Sequence, residues 1–260
     1  MINCGQAPSR RRLFHDLFRF RLNESLLRWL PCLFLAGLLL AASLVPRLTR
    51  GQATSAGTPV PAGELHLAKG NISIRVLAQS PAETDTQLQV ICLFRSDPAN
   101  QLHASLAEIN EKLSGLLDQI RKPNLFAGET GETLLLTPRP GTLRAKALLL
   151  IGLGDSSNFD PGRMDMVGAI VYQEAIRLGV SKPYFAPTIL DGGVSKFPTG
   201  QVAGRVLAGF ARAARTDELI RDSGMGRGGT IQSLTFLAGA THLADTLEGI
   251  KRAIASLPAQ

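Results

Sequence analysis

An acid and a hydroxyl follow directly on an apolar run in Ile151-Gly152-Leu153-Gly154-Asp155-Ser156-Ser157, so the first chemistry to weigh is Ser156 as a nucleophile. A serine attacks only when a base removes its proton. Beyond the N-terminal segment the chain holds His66, His103 and His242, and none stands in the D-x-x-H pattern of esterases that carry Gly-Asp-Ser. Gly239 occupies the place three residues before His242. The same glycines invite a dinucleotide reading, which needs G-x-G-x-x-G to bring the backbone against a pyrophosphate. Ser157 stands where the third glycine should be. The third reading is structural: Gly152 and Gly154 let the chain leave a strand end sharply, and the polar residues lead to a helix opened by Asp160 and Pro161. That reading is preferred here, with hydrolysis by Ser156 kept as an alternative.

Two further glycine-rich loops, Leu190 to Gly200 and Asp222 to Thr230, are read as surface connections that could also take a ligand. In the second, Arg221 and Arg227 lie among glycines and could clasp a phosphate or carboxylate. The candidate ligand-binding residues are therefore Gly152, Gly154, Asp155, Ser156, Asp191, Gly192, Gly193 and Arg227. No zinc spacing of His and Cys occurs, no Walker motif is present, and Arg221 blocks a G-x-S-x-G reading of Asp222-Ser223-Gly224. No catalytic residue, metal site or cofactor is expected. Cys92 is alone in an apolar strand, where a buried thiol is the default.

The elements that must position these residues alternate along the chain. Asn71–Leu77 and Gln87–Phe94 read as strands, the second nearly continuous in apolar residues, as a central strand is. Leu102, Leu106, Ile109, Leu113, Leu116 and Ile120 step by three and four and mark one amphipathic helix. Thr133–Pro138 and Lys146–Gly154 are strand-like, a helix follows from Asp160 to Gly179, and Tyr184–Leu190 is a strand whose Pro187 argues for an edge or a bulge. Val202 to Phe210 mark a helix, Thr230–Gly239 the last strand, and Leu243 to Leu257 a terminal helix. Such alternation predicts a three-layer α/β/α domain, a mixed sheet flanked by helices, over residues 64–260.

Ahead of that domain, residues 1–28 are basic, 29–46 form an uncharged 18-residue run, and 47–63 are small, polar and proline-bearing, as a flexible linker is. Residues 1–53 hold eight arginines against Asp16 and Glu24, and so contribute +6 of the net charge of +7. The domain itself is nearly neutral. Its composition gives no support to nucleic-acid binding, which needs a basic face on the folded part. The apolar run is long enough to span a bilayer, and the arginines before it keep that side cytoplasmic. The domain is expected in the periplasm or outside the cell, secreted after cleavage of a signal peptide near Gly51-Gln52-Ala53 or anchored to the inner membrane by this transmembrane helix.

The order of signals from Leu102 to Ile254 resembles the N-terminal domain of the leucyl aminopeptidase family. The family's F-x-G-x-x-G-E segment corresponds to Phe126, Gly128, Gly131 and Glu132. Its V-G-L-G strand end corresponds to Ile151-Gly152-Leu153-Gly154, its small-residue helix to Gly200–Phe210, and its last strand to Ser233–Gly239. The resemblance implies a macro-domain-like fold, some members of which bind ADP-ribose-like ligands. It also implies that the two-metal chemistry of the peptidase family resides in a C-terminal domain whose N-T-D-A-E-G-R motif this sequence lacks. The expectation is thus a stand-alone, non-catalytic domain that binds a protein partner or small ligand, labelled aminopeptidase by family only. A further alternative is a regulatory half that docks on a separate metallo-aminopeptidase catalytic domain.

Overall fold

The computed structural model describes residues 61–66, 72–96, 101–226 and 228–257. The basic region, the apolar run 29–46 and the linker up to residue 60 lie outside them, as does Arg227. Among the described residues no helix is long and apolar enough to cross a membrane.

The strands are β1 (Pro61–His66), β2 (Ser73–Ala78), β3 (Gln89–Leu93), β4 (Thr133–Leu136), β5 (Leu148–Gly152), β6 (Tyr184–Ala186) and β7 (Ser233–Ala238). The helices are α1 (Ala104–Lys112), α2 (Leu116–Arg121), α3 (Met164–Leu178), α4 (Thr199–Asp222) and α5 (Leu243–Ser256). The strands form one mixed sheet in the order β1-β2-β7-β6-β3-β5-β4. Its five inner strands run parallel, and β1 and β4 close the two edges antiparallel. All five inner strands therefore end on the same edge, which is where open α/β sheets take ligands.

Side chains alternate across the sheet, so each inner strand feeds two cores. From β3, Val90 and Cys92 join the larger core with α3, α4 and α5, while Ile91 and Leu93 join the smaller one with α1 and α2. The sequence of β5 divides in the same way, Leu149 and Ile151 against Leu148 and Leu150. Burying each of these aliphatic side chains contributes roughly 1.5–3 kcal/mol before the entropy of ordering is subtracted. The larger core holds its helices close through small residues. A Cβ on Gly168 of α3 would lie 1.9 Å from the Val206 carbonyl of α4, and one on Gly249 of α5 would lie 2.0 Å from the Gly200 carbonyl. This contact is why the Gly200–Phe210 stretch is rich in small residues.

Helix boundaries follow their caps. The Asp160 carboxylate accepts from the Gly162 N–H at 2.7 Å just before α3, and Gly179 ends that helix at φ 68°. Two expectations are corrected and one is extended. The single helix expected from Leu102 to Ile120 is two, because Ser114 (φ 56°) and Gly115 (φ 78°) turn left-handed between α1 and α2. Asn110 then holds the second segment through both its amide atoms on Asp118. Pro187 marks neither an edge nor a bulge: β6 lies inside the sheet, between β7 and β3, and stops at Ala186, just before the proline. The helix marked by Val202 to Phe210 runs on to Asp222, and its last turns leave Leu219 and Ile220 exposed. A strand that the sequence reading did not identify, β1, begins at Pro61 within the stretch read as linker.

Candidate functional site

Two groups of loops meet at the carboxyl edge of the sheet. The first lies beyond β3 and β5 and contains Gly152 and Gly154. Glu132 organises it: its carboxylate accepts from the backbone N–H groups of Ala127 (3.3 Å), Gly128 (2.8 Å) and Glu129 (3.0 Å), which curls residues 127–132 into a tight loop. That loop is laid along the end of β5. Gly131 N–H donates to the Gly152 carbonyl, Gly152 N–H to the Glu132 carbonyl, and Gly154 N–H to the Gly128 carbonyl. Arg163 closes the far side by donating to the Leu153 and Asn158 carbonyls.

Gly152 is required by space: a Cβ there would lie 2.0 Å from the Glu129 carbonyl oxygen. Gly154 is required by conformation as well, with φ +74°. Asp155 accepts from the Ser157 N–H at 2.8 Å, and that bond holds its carboxyl below the usual range. The Ser156 carbonyl accepts from Phe159 N–H. The Asp155 carboxylate and the Ser156 carbonyl are thus spent on the turn itself.

The second group lies beyond β2, β7 and β6 and encloses a crevice of about 650 Å³. Its floor is made by strand ends, among them Ala78, Ala186 and Leu237. One wall is the start of α1, with His103, Ser105 and Glu108; the others come from Thr188 to Asp191, the start of α4, and His242 with Thr246. Thr188 shapes this opening. Its hydroxyl accepts from Cys92 N–H at 2.9 Å and donates to the Cys92 carbonyl at 2.7 Å, so a side chain continues the ladder after β6 has ended. Thr188 does this at φ 51°, a rare conformation for a β-branched residue.

Asp191 then ties the segment to α1. Its carbonyl accepts from His103 N–H at 3.0 Å, and its carboxylate accepts from the Ser105 hydroxyl. Desolvation pushes the Asp191 carboxyl up, against the opposing pull of Ser105.

Of the described residues predicted from sequence, only Asp191 lines the crevice, Arg227 being outside the described residues. Gly192 and Gly193 complete the turn beside it, Gly193 at φ +87°. Gly152, Gly154, Asp155 and Ser156 are absent from its lining, whereas His103 and His242 are both in it. His103 and His242 thus belong to a different group of loops from Ser156. Sequence reasoning did not single out Ser80, Ser105, Glu108 or Thr199 as site residues. No motif or spacing in the sequence marks them as a group. Among the described residues no group of three or more His, Cys, Asp or Glu is arranged to hold a metal ion.

A family model described as the N-terminal domain of the cytosol aminopeptidase family matches residues 90–210. A probable cytosol aminopeptidase of Roseiflexus castenholzii is 34% identical over 118 residues, which are 45% of this chain and 21% of that relative. The matched segment therefore spans about a fifth of the relative's length. A tomato leucine aminopeptidase variant superposes with a TM-score of 0.55 at 21% identity, over 73% of this chain and 37% of that one. An Oceanobacillus iheyensis macrodomain with MES bound superposes with a TM-score of 0.52 at 13% identity, over 77% of this chain and all of that one. At these identities the structural matches establish a shared macrodomain-like fold, while the sequence match spans the Glu132 loop, the Gly152 turn and the start of α4. Over residues 90–210 the chain thus matches the N-terminal domain of the leucyl, or cytosol, aminopeptidase family.

Proposed function

We propose that this chain acts by binding rather than by catalysis, holding a small ligand in the crevice beyond β2, β7 and β6. It does so outside the inner membrane, exported by residues 29–46 or anchored through them. The observation that carries the binding reading is the crevice: about 650 Å³, with an apolar floor and a few polar groups converging from three sides. Ligand pockets have this size and make-up. The macrodomain of the same fold from Oceanobacillus iheyensis has also been solved with ADP, which supports a ligand-binding role for this architecture without fixing the ligand. Export is supported by the eight arginines and two acids of residues 1–53 around an uncharged run.

A fragment screen on the full chain, read by thermal shift and repeated on Ala78→Trp, tests the binding reading. Ala78 is exposed and lines the crevice, so a tryptophan there fills it with little effect on the fold. Hits on the native chain that vanish in the variant are expected; hits unchanged by the variant would place binding elsewhere. Alkaline phosphatase fused after residue 63 tests topology, with activity expected and an inactive cytoplasmic fusion contradicting export.

A protein partner is the second reading. Leu219, Ile220 and Met225 are exposed together around the end of α4, where Met225 N–H donates to the Ile220 carbonyl. Replacing Leu219 and Met225 with aspartate would abolish such docking and leave small-ligand binding intact.

A further inference from the structure

We infer that the crevice takes a ligand with an apolar body and a cationic amine head, and turns away phosphate-bearing ligands. The inference rests on the crevice being the binding site. It follows from how charge is distributed around that site. Among the described residues, the titratable side chains that line it are His103, Glu108, Asp191 and His242, with no lysine or arginine. The acidic groups of the lining are Glu108 and Asp191.

Two of the backbone positions that a phosphate would use are occupied. Helix N-termini attract anions because their first N–H groups are unpaired, and α1 and α4 are two of the helices that begin at this rim. At α4, the Thr199 hydroxyl and the Gly200 N–H donate to the Asp245 carboxylate at 2.9 and 2.8 Å. These bonds, Gly200 first, hold the Asp245 carboxyl below its usual range. At α1, Asp191 takes the Ser105 hydroxyl and the His103 N–H. A phosphate arriving at either helix would meet a carboxylate already in place.

The α1 wall also presents a place for a cation. Ser105 and Glu108 lie three residues apart on one helix face, so Asp191 and Glu108 approach the crevice on either side of one turn. Glu108 accepts from the Ser80 hydroxyl at 2.7 Å. Lys112 is 3.9 Å from Glu108 but 2.6 Å from Glu83, so this cation is engaged outside the crevice. Desolvation of Asp191 is a cost that a cation beside it would offset. The floor of Ala186, Leu237 and Pro81 supplies apolar contact for the rest of the ligand.

Benzylamine, benzyl alcohol and benzoate share one body and differ in head charge, and ADP supplies the phosphate case. Their affinities for the full chain, measured by NMR titration, should fall in the order amine, alcohol, benzoate, with no ADP binding at the crevice. An ammonium on a carboxylate in place of a hydroxyl on the same carboxylate corresponds to about a tenfold preference for amine over alcohol. Glu108→Gln should reduce that preference several-fold, weakening the amine more than the alcohol, and Ala78→Trp should abolish all three. Equal affinities for amine and alcohol, lost together in Ala78→Trp, would overturn the charge selectivity while leaving the crevice as the binding site. ADP binding that Ala78→Trp removes, or an amine preference indifferent to Glu108→Gln, would also overturn it. Binding of no probe, or binding indifferent to Ala78→Trp, would remove the crevice as the site and the inference with it.

Discussion

At the carboxyl edge of one sheet, the ends of β3 and β5 are packed backbone against backbone, while the ends of β2, β7 and β6 leave about 650 Å³ open. The difference lies in what occupies the space beyond the strands. On the closed side, Glu132 folds residues 127–132 over Gly152, and glycines allow carbonyls to approach to within the volume of a missing Cβ. On the open side, β6 is only three residues long, and Thr188 satisfies Cys92 with a hydroxyl instead of another strand residue. A side chain bonded to one neighbour takes less room than a full loop. In this protein the glycines beyond β5 mark the packed half, and a short strand, β6, continued by a threonine hydroxyl marks the half that can receive a ligand.

Substitutions on the two sides sharpen this contrast. Gly152→Ala should have the largest effect, about 3 kcal/mol of lost stability or failure to fold, because its Cβ would meet backbone that cannot move aside. Ala78→Trp on the open side should change stability by about 0.5 kcal/mol or less. Urea denaturation of both variants measures the gap, and similar costs would break the comparison. Glu132→Ala comes next at about 2 kcal/mol, since three N–H groups lose a charged acceptor. Thr188→Val should cost about 1.5 kcal/mol by leaving the buried Cys92 N–H without its partner, and hydrogen exchange at that amide should rise with it.

The smallest effect is a pH trend at Asp191. Its carboxyl is raised in the folded chain, so the relative stability it carries is fully present below the unfolded value of about 3.9 and is lost as pH rises through the folded value. Asp191→Asn lacks that loss. The melting temperature of the variant relative to the native chain should therefore climb as pH rises from about 4, and a flat difference would show that Asp191 is not desolvated.

Much of the fold was legible because its signals are local. Asp160, Pro161 and Gly179 bracket α3, and the unbroken apolar run of β3 marks a strand buried on both faces. The break between α1 and α2 was not, because the step from Leu113 to Leu116 keeps helical spacing across Ser114 and Gly115. The second half of α4 was missed for the opposite reason: from Arg212 to Asp222 its residues suit a helix but bury little. The crevice was nearly invisible because residues 78–81, 103–108, 186–191 and 237–246 meet only through sheet order. Asp191 was found through its neighbouring glycines, while Ser105 and Glu108 carry no signal apart from their contacts.

The most direct test of the account is where a small ligand perturbs the protein. Backbone amide shifts of the full chain titrated with benzylamine should move at Ser105, Asp191 and His242, and stay still from Gly152 to Ser156. Shifts concentrated between Gly152 and Ser156 would contradict it, making the glycine turn the site and the crevice an unoccupied gap between strand ends.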